Sequence, residues 1–259
     1  MDPRTTAYRE KIIEYSKGAR DRVEGLYASV VSPEVQEHLY DVWMDVLDKY
    51  DVDGLNFDYV RYPAPEYDYS KVALQRFRLW LLPQLPDSAR AHFAGLEQAD
   101  PLVYADSFPA RYADFRRAQV TALVERIYYG VKKRAPDVVV SADVFGNAQD
   151  AYEKRYQDWT EWLRRGILDV AAPMAYNADT NIFREQIRVA VAAAGGSHVW
   201  AGIGAYRIPP ASTVEKIQAA RELGARGFVL FSYDGAVRKN DRTNPDGLYL
   251  QHVAEGAFK

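Results

Sequence analysis

Two aspartates are placed at the ends of apolar runs that have the pattern of buried strands. Asp58 lies in DGLNFDYVRYP, which extends from Asp53 to Pro63, and Asp143 ends the strand predicted in DVVVSADVFG, residues 137–146. Because side chains alternate along a strand, Asn56 and Asp58 share one face. Burial of polar groups on that face costs free energy unless they are hydrogen-bonded or take part in binding or catalysis. Two carboxyl groups at neighbouring strand ends can act as proton donor and as nucleophile or base, which indicates an enzyme.

These aspartates belong to a series of apolar segments that alternate with amphipathic ones. The later segment ends recur at intervals of about 30 residues, as expected of strand–helix units around a parallel sheet. The segments are almost continuously apolar, which is typical of strands covered on both faces. The five predicted strands are about 52–59, 138–144, 169–176, 199–205 and 227–233.

Helical patterns fill the intervals between these strands. Ser32-Pro33 predicts the start of a helix that runs to about Lys49. A proline-rich stretch, residues 64–110, is predicted to be a long insertion after the first visible strand, with one or two short helices, for example over Lys71 to Leu82. Two further helices are predicted over Tyr112 to Lys133 and over 156–166, the second with Trp159 and Trp162 in the core. A third is predicted over Asn181 to Ala194 and is stopped by Gly195-Gly196. A fourth begins at a capping box of Ser212 and Glu215 and ends at Leu223.

The motifs DGLNFDYVRYP, SADVFG, PMAY, GIGAY and GFVLFSYDG follow one another in this order between Gly25 and Gly235. In this order they resemble the family-10-like glycosyl hydrolases, a former domain of unknown function. The resemblance implies an α/β fold of the (β/α)8 TIM-barrel type, with Asp53 to Val60 as the fourth strand and Gly227 to Tyr233 as the eighth. Residues 1–259 would then be a single partial barrel domain, N-terminally truncated to about five βα units.

The resemblance also implies hydrolysis of glycosidic bonds, with bacterial cell-wall polysaccharide as the associated substrate class. Such hydrolysis uses two carboxyl groups, and Asp58 and Asp143 are the predicted catalytic pair. Asp58 could instead pair with Arg61 or cap the following loop, and Asp143 could make a local loop hydrogen bond. The sequence leaves open which carboxylate is the acid and whether the reaction retains or inverts. The alternative function is a non-catalytic glycan-binding module or an inactive fragment of such an enzyme.

Polar and aromatic residues near the strand ends are candidates for binding the glycan. Tyrosines there could stack on sugar rings or could be wall residues of the barrel, and Asp-Gly at 234–235 is also an ordinary turn. An arginine could bind a hydroxyl or make a surface ion pair. The predicted substrate-binding residues are Asn56, Arg61, Tyr62, Tyr176, Asn177, Tyr206, Tyr233 and Asp234.

Composition excludes several other classes of function. A net charge of −3, from 33 basic and 36 acidic residues, gives no electrostatic case for nucleic acid. The chain has no cysteine, no HExxH, P-loop or dinucleotide motif and no membrane-length apolar run, so neither a metal nor a cofactor is predicted.

The polar N-terminus lacks the pattern of a signal peptide, although the resemblance suggests a secreted or cell-envelope protein. Unpaired sheet edges could promote self-association; the alternative that we favour is an N-terminus lost in gene prediction.

Overall fold

The computed structural model describes residues 27–194, 198–238 and 243–258. The strands are β1 (Gly54–Phe57), β2 (Val139–Phe145), β3 (Val170–Met174), β4 (His198–Gly204) and β5 (Gly227–Phe231). The helices are α1 (Pro33–Lys49), α2 (Lys71–Leu81), α3 (Asp87–Leu96), α4 (Val103–Ser107), α5 (Pro109–Arg134), α6 (Ala148–Lys154), α7 (Trp159–Arg164), α8 (Thr180–Ala194), α9 (Pro210–Glu222), α10 (Tyr233–Val237) and α11 (Tyr249–Ala257). Short 3-10 turns cover Leu82–Gln84 and Ala205–Arg207.

All five strands form one parallel sheet in the order β1-β2-β3-β4-β5. Helices intervene between successive strands, so the sheet is a half-barrel built from strand–helix units, as predicted. In a parallel sheet every strand has its carboxyl end at the same edge. The segments that follow the strands are therefore gathered at this edge.

The described chain divides into two compact units. The first contains residues 27–49, Arg61–Gly130 and Glu153–Gln157, and the second contains the other described residues, including all five strands. None of the helices in the described parts of the chain is long and apolar enough to span a membrane.

The second unit buries an apolar layer between its sheet and the helices α8, α9 and α11. Phe183, Ile187, Ile203 and Ile217 are fully buried there, and burial of each such side chain stabilises the fold by about 1.5–3 kcal/mol. Tyr249 is buried with them, and its hydroxyl donates to the Ile208 carbonyl over 2.9 Å. This layer holds the strands rigidly, which a site at the strand ends requires.

In the first unit, a buried arginine is enclosed by tyrosine rings. The Arg116 guanidinium lies 4.4 Å from the ring centre of Tyr112 and 4.2 Å from that of Tyr156. It donates to the carbonyls of Pro65, over 2.6 Å, and of Tyr67. The chain after the first strand is therefore anchored to α5 by cation–π contacts and hydrogen bonds together.

Several predicted helix limits agree with the structure and others do not. The helix predicted over Lys71 to Leu82 is present as α2, but the stretch 64–110 also contains α3, α4 and the start of α5, so it is more helical than its prolines suggested. Trp159 and Trp162 are fully buried, as predicted. The predicted stop at Gly195-Gly196 lies outside the described residues.

The predicted capping box of Ser212 and Glu215 is wrong. The N-cap is Pro209 rather than Ser212, so the helix begins three residues earlier than predicted, at Pro210, and the Thr213 N–H already donates to the Pro209 carbonyl over 3.2 Å. Proline suits the first helical turn because it has no N–H to satisfy and a fixed φ. This preference overrides the local capping pattern.

Candidate active site

The strands β1 and β2 bring Asn56 and Asp143 into direct contact. Asn56 lies opposite Ser141 in the parallel register, and Asp143 follows two residues later on the same face. The Asn56 Nδ2 donates a hydrogen bond to the Asp143 Oδ2 over 3.0 Å. A predicted substrate-binding amide and a predicted catalytic carboxylate are thus neighbours. The prediction that Asp143 ends its strand is wrong, because β2 continues to Phe145.

The buried hydroxyl of Ser141 orients the Asn56 amide. Its Oγ donates to the Asn56 Oδ1 over 2.7 Å, and Ser141 is only 6% exposed. Because a carboxylate only accepts, the amide NH2 group must face Asp143 while the amide oxygen faces Ser141. An N–H donor stabilises the ionised form of a carboxyl group. Ser141 was not among the predicted residues, although its position opposite Asn56 and two before Asp143 could have found it.

Asp58 follows β1 directly and is exposed. Its Oδ1 accepts a hydrogen bond from the Tyr59 N–H over 2.7 Å. Tyr59 has a φ of 55°, in the left-handed region that costs a residue with a bulky side chain about 1–2 kcal/mol. The alternation predicted through Tyr59 therefore ends at Phe57. The hydrogen bond corresponds to the loop-capping role that the sequence left open for Asp58.

Tyr176 lies in the electrostatic field of both aspartates. Burial raises the pKa of its phenol, and the negative charges of Asp143 and Asp58 raise it further. The phenol therefore keeps its proton at neutral pH and is available as a hydrogen-bond donor. Asp58, Asp143 and Tyr176 all lie at the carboxyl edge of the sheet, at or just after the ends of β1, β2 and β3.

Three aromatic rings form a cluster beside these carboxylates. The rings of Tyr176 and Phe231 stack with their centres 5.4 Å apart and an angle of 11° between their planes. Tyr206, in the 3-10 turn after β4, presents its edge to both rings, at 6.3 Å from Tyr176 and 5.9 Å from Phe231. Phe231 was not among the predicted binding residues, since the stacking candidates at the strand ends were all tyrosines.

The other predicted binding residues of the second unit occupy the loops after β3 and β5. Asn177 is half-buried, and its Oδ1 accepts from the Asp179 N–H over 2.9 Å, which shapes the loop before α8. Tyr233 and Asp234 are exposed in the first turn of α10.

Arg61 and Tyr62 belong to the first unit. The Tyr62 ring is buried, makes an edge contact with Tyr156 at 5.3 Å, and its backbone N–H donates to the Arg155 carbonyl over 2.9 Å. Burial raises the pKa of the Tyr62 phenol well above its ordinary value. Arg61 is half-buried.

Acidic and histidine side chains do not converge into a metal site in the part of the chain that the structure describes. The chemistry offered by the strand ends is that of two carboxyl groups, a protonated phenol and an aromatic surface.

Comparison with known proteins identifies the family. The profile of the family described as glycosyl hydrolase-like 10 matches residues 2–219, most of the chain. The chain belongs to the glycosyl hydrolase-like 10 family. The resemblance carried by the strand motifs is thereby confirmed.

Curated relatives of this chain include proteins named glycosyl hydrolase DigH. Those from Escherichia coli O6:H1, Escherichia coli K12 and Shigella flexneri are each 25% identical over 158 residues. The aligned part covers 56% of this chain and 30% of each relative, so the chain spans less than a third of their length.

A solved structure shares the fold. The catalytic domain of β-amylase from Paenibacillus polymyxa, a TIM barrel, aligns with a TM-score of 0.60 over 93% of this chain and 76% of that domain, at 11% identity. The half-barrel is therefore of the predicted TIM-barrel type. Family membership supports a function of the glycoside hydrolase type.

Proposed function

We propose that this chain is a glycoside hydrolase that cleaves a polysaccharide, with bacterial cell-wall glycan as its substrate class. The observation that supports this most is the pair of carboxyl groups at the ends of adjacent parallel strands, Asp58 after β1 and Asp143 near the end of β2. Glycosidic bonds are hydrolysed between two such groups, and TIM-barrel active sites lie at this edge of the sheet.

Asp143 is the proposed nucleophile or base. The Asn56 amide donates to it over 3.0 Å and stabilises its negative charge. Asp58 is the proposed proton donor because it is exposed at the neighbouring strand end, where a glycosidic oxygen can reach it. The protonated Tyr176 phenol and the Asn56 amide are proposed to bind sugar hydroxyls. Asn177, Tyr206, Tyr233 and Asp234 remain proposed binding residues of the second unit.

A second candidate function is glycan binding without cleavage. The aromatic cluster of Tyr176, Tyr206 and Phe231 supports it, because aromatic surfaces bind sugars without any need for an acid or a base. In addition, the Asp58 Oδ1 already accepts a hydrogen bond from the Tyr59 backbone N–H, so this oxygen has a structural partner in the loop.

One assay separates the two functions. The purified chain is incubated with peptidoglycan glycan strands and with chitin, and both the bound fraction and the release of new reducing ends are measured. Hydrolysis predicts reducing ends that increase with time and enzyme concentration. Binding with no reducing ends would support the binding module, and neither binding nor cleavage would contradict both proposals.

A further inference from the structure

An apolar ring is exposed at the carboxyl end of the edge strand β5. Phe231 is 50% exposed, although phenylalanine is among the residues most often buried. Its strand position pairs with Gly204 of β4 in the parallel register. The ring therefore lies at the same edge of the sheet as the carboxylates.

Neighbouring rings hold Phe231 in place. Tyr176 is parallel to it at 5.4 Å, and Tyr206 meets it edge-on at 5.9 Å. These are the offset-stacked and edge-to-face geometries that aromatic pairs prefer. A ring fixed in this way loses little conformational freedom when a ligand binds, which favours affinity.

A glycine between the two stacked residues makes room for them. A Cβ atom on Gly204 would approach the Tyr176 Cβ to 3.0 Å and its Cα to 3.3 Å. Tyr176 follows β3 and Phe231 ends β5, so the stack crosses over the intervening strand β4. The absence of a side chain at Gly204 is what permits this arrangement.

We propose that Phe231 is a stacking platform for a pyranose ring of the cell-wall glycan. This inference rests on the proposed function and adds to it a residue and a mode of binding. The face of an aromatic ring is electron-rich and apolar, and it attracts the weakly positive C–H groups on one face of a sugar ring. Phe231 ends β5 at the same edge of the parallel sheet as Asp58 and Asp143, and it stacks against Tyr176, so the platform places the sugar at the edge that carries the carboxylates.

The test compares three substitutions by titration calorimetry with soluble cell-wall glycan fragments. Phe231→Leu keeps an apolar side chain but removes the ring, and we expect binding about tenfold weaker. Phe231→Tyr keeps the ring and should bind as the wild type does. Phe258→Leu is the matched control, because Phe258 is also an exposed phenylalanine, 65% exposed beyond the end of α11, and its replacement should leave binding unchanged.

Each outcome addresses the platform separately from hydrolysis. Weaker binding by Phe231→Leu alone supports the platform, even if the wild type binds glycan without cleaving it. Unchanged binding by Phe231→Leu, with cleavage intact in the wild type, overturns the platform and leaves the hydrolase proposal standing. A wild-type protein that binds no glycan fragment overturns both. Equal losses in Phe231→Leu and Phe258→Leu would also overturn the platform, since they would show a general effect of removing an exposed ring.

Discussion

The Asn56 Nδ2 donates to the Asp143 Oδ2 over 3.0 Å, and the Ser141 hydroxyl holds the amide in the orientation that this bond requires. Both strands contribute to the arrangement, which depends on the register Asn56↔Ser141. A shift of one residue in that register would turn Asp143 and Asn56 to opposite faces. The sheet itself therefore positions the proposed nucleophile or base.

Replacement of Asn56 should impair turnover of the glycan. Asn56→Ala removes one hydrogen bond to a charged group, and we expect kcat to fall about 10- to 100-fold. Steady-state kinetics measure this loss.

Two further variants make this prediction specific. Ser141→Ala leaves the Asn56 amide in place but removes the hydrogen bond that orients it. The loss of kcat in Ser141→Ala should therefore be smaller than that in Asn56→Ala. Asn181→Ala, at an exposed asparagine of α8, should have no effect. Wild-type kcat in Asn56→Ala would show that the amide does not assist Asp143.

Gly204→Ala should destabilise the second unit and separate the stacked rings. The added methyl group would meet the Tyr176 Cβ at 3.0 Å, and overpacking of this kind costs about 1–3 kcal/mol. Gly95→Ala in α3 is the control, for which we expect a change of opposite sign in the free energy of unfolding. Its Cβ would meet nothing within 4 Å, so it should stabilise the helix by about 0.5–1 kcal/mol. Urea unfolding measures both, and a neutral Gly204→Ala would refute the close packing.

Arg116 should be essential to the stability of the first unit. Arg116 is 4% exposed, and Arg116→Met would leave the Pro65 and Tyr67 carbonyls without their cationic donor. We expect a loss of about 2–4 kcal/mol in the free energy of unfolding. Arg188→Met, which breaks only an exposed ion pair with Glu185, should cost less than about 0.5 kcal/mol. Similar losses in the two variants would contradict the proposal that Arg116, enclosed by Tyr112 and Tyr156, stabilises the first unit.

Stability should decrease in alkaline solution. Burial raises the pKa of Tyr62, Tyr112 and Tyr156, so the folded chain retains phenol protons that the unfolded chain loses above about pH 10. The contribution of these tyrosines is fully present below that pH and is lost as pH rises towards their raised pKa values. Phenolate absorbance should therefore appear at higher pH in the native protein than in urea. Superimposable titration curves would contradict the burial of these hydroxyl groups.

The sheet could be predicted because the sequence patterns that indicate its strands are local. Apolar runs located all five strands to within two residues of their ends, but Asp58, predicted inside a strand over about 52–59, follows β1 directly. The end of the first strand at Phe57 was not predicted, since the positive φ of Tyr59 has no local signal in the sequence. The start of α9 was misplaced because Pro210 competed with a capping pattern.

The candidate site was predicted only in part, because packing between strands decides the rest. Asn56 and Asp143 were both named, but their hydrogen bond depends on a register that one strand alone cannot reveal. Ser141 became relevant only when paired with Asn56. Phe231 gained its importance from Tyr176, which lies on the far side of an intervening strand.

The most direct test of the proposed function is the rate of glycan cleavage by Asp143→Asn and Asp58→Asn, measured as new reducing ends from peptidoglycan glycan strands beside the wild type. Each substitution keeps the shape of the side chain but removes its acid–base capacity, so kcat should fall by about 10²- to 10⁴-fold while glycan binding is retained. Wild-type rates of cleavage in either variant would contradict the proposal that these two aspartates are the catalytic pair.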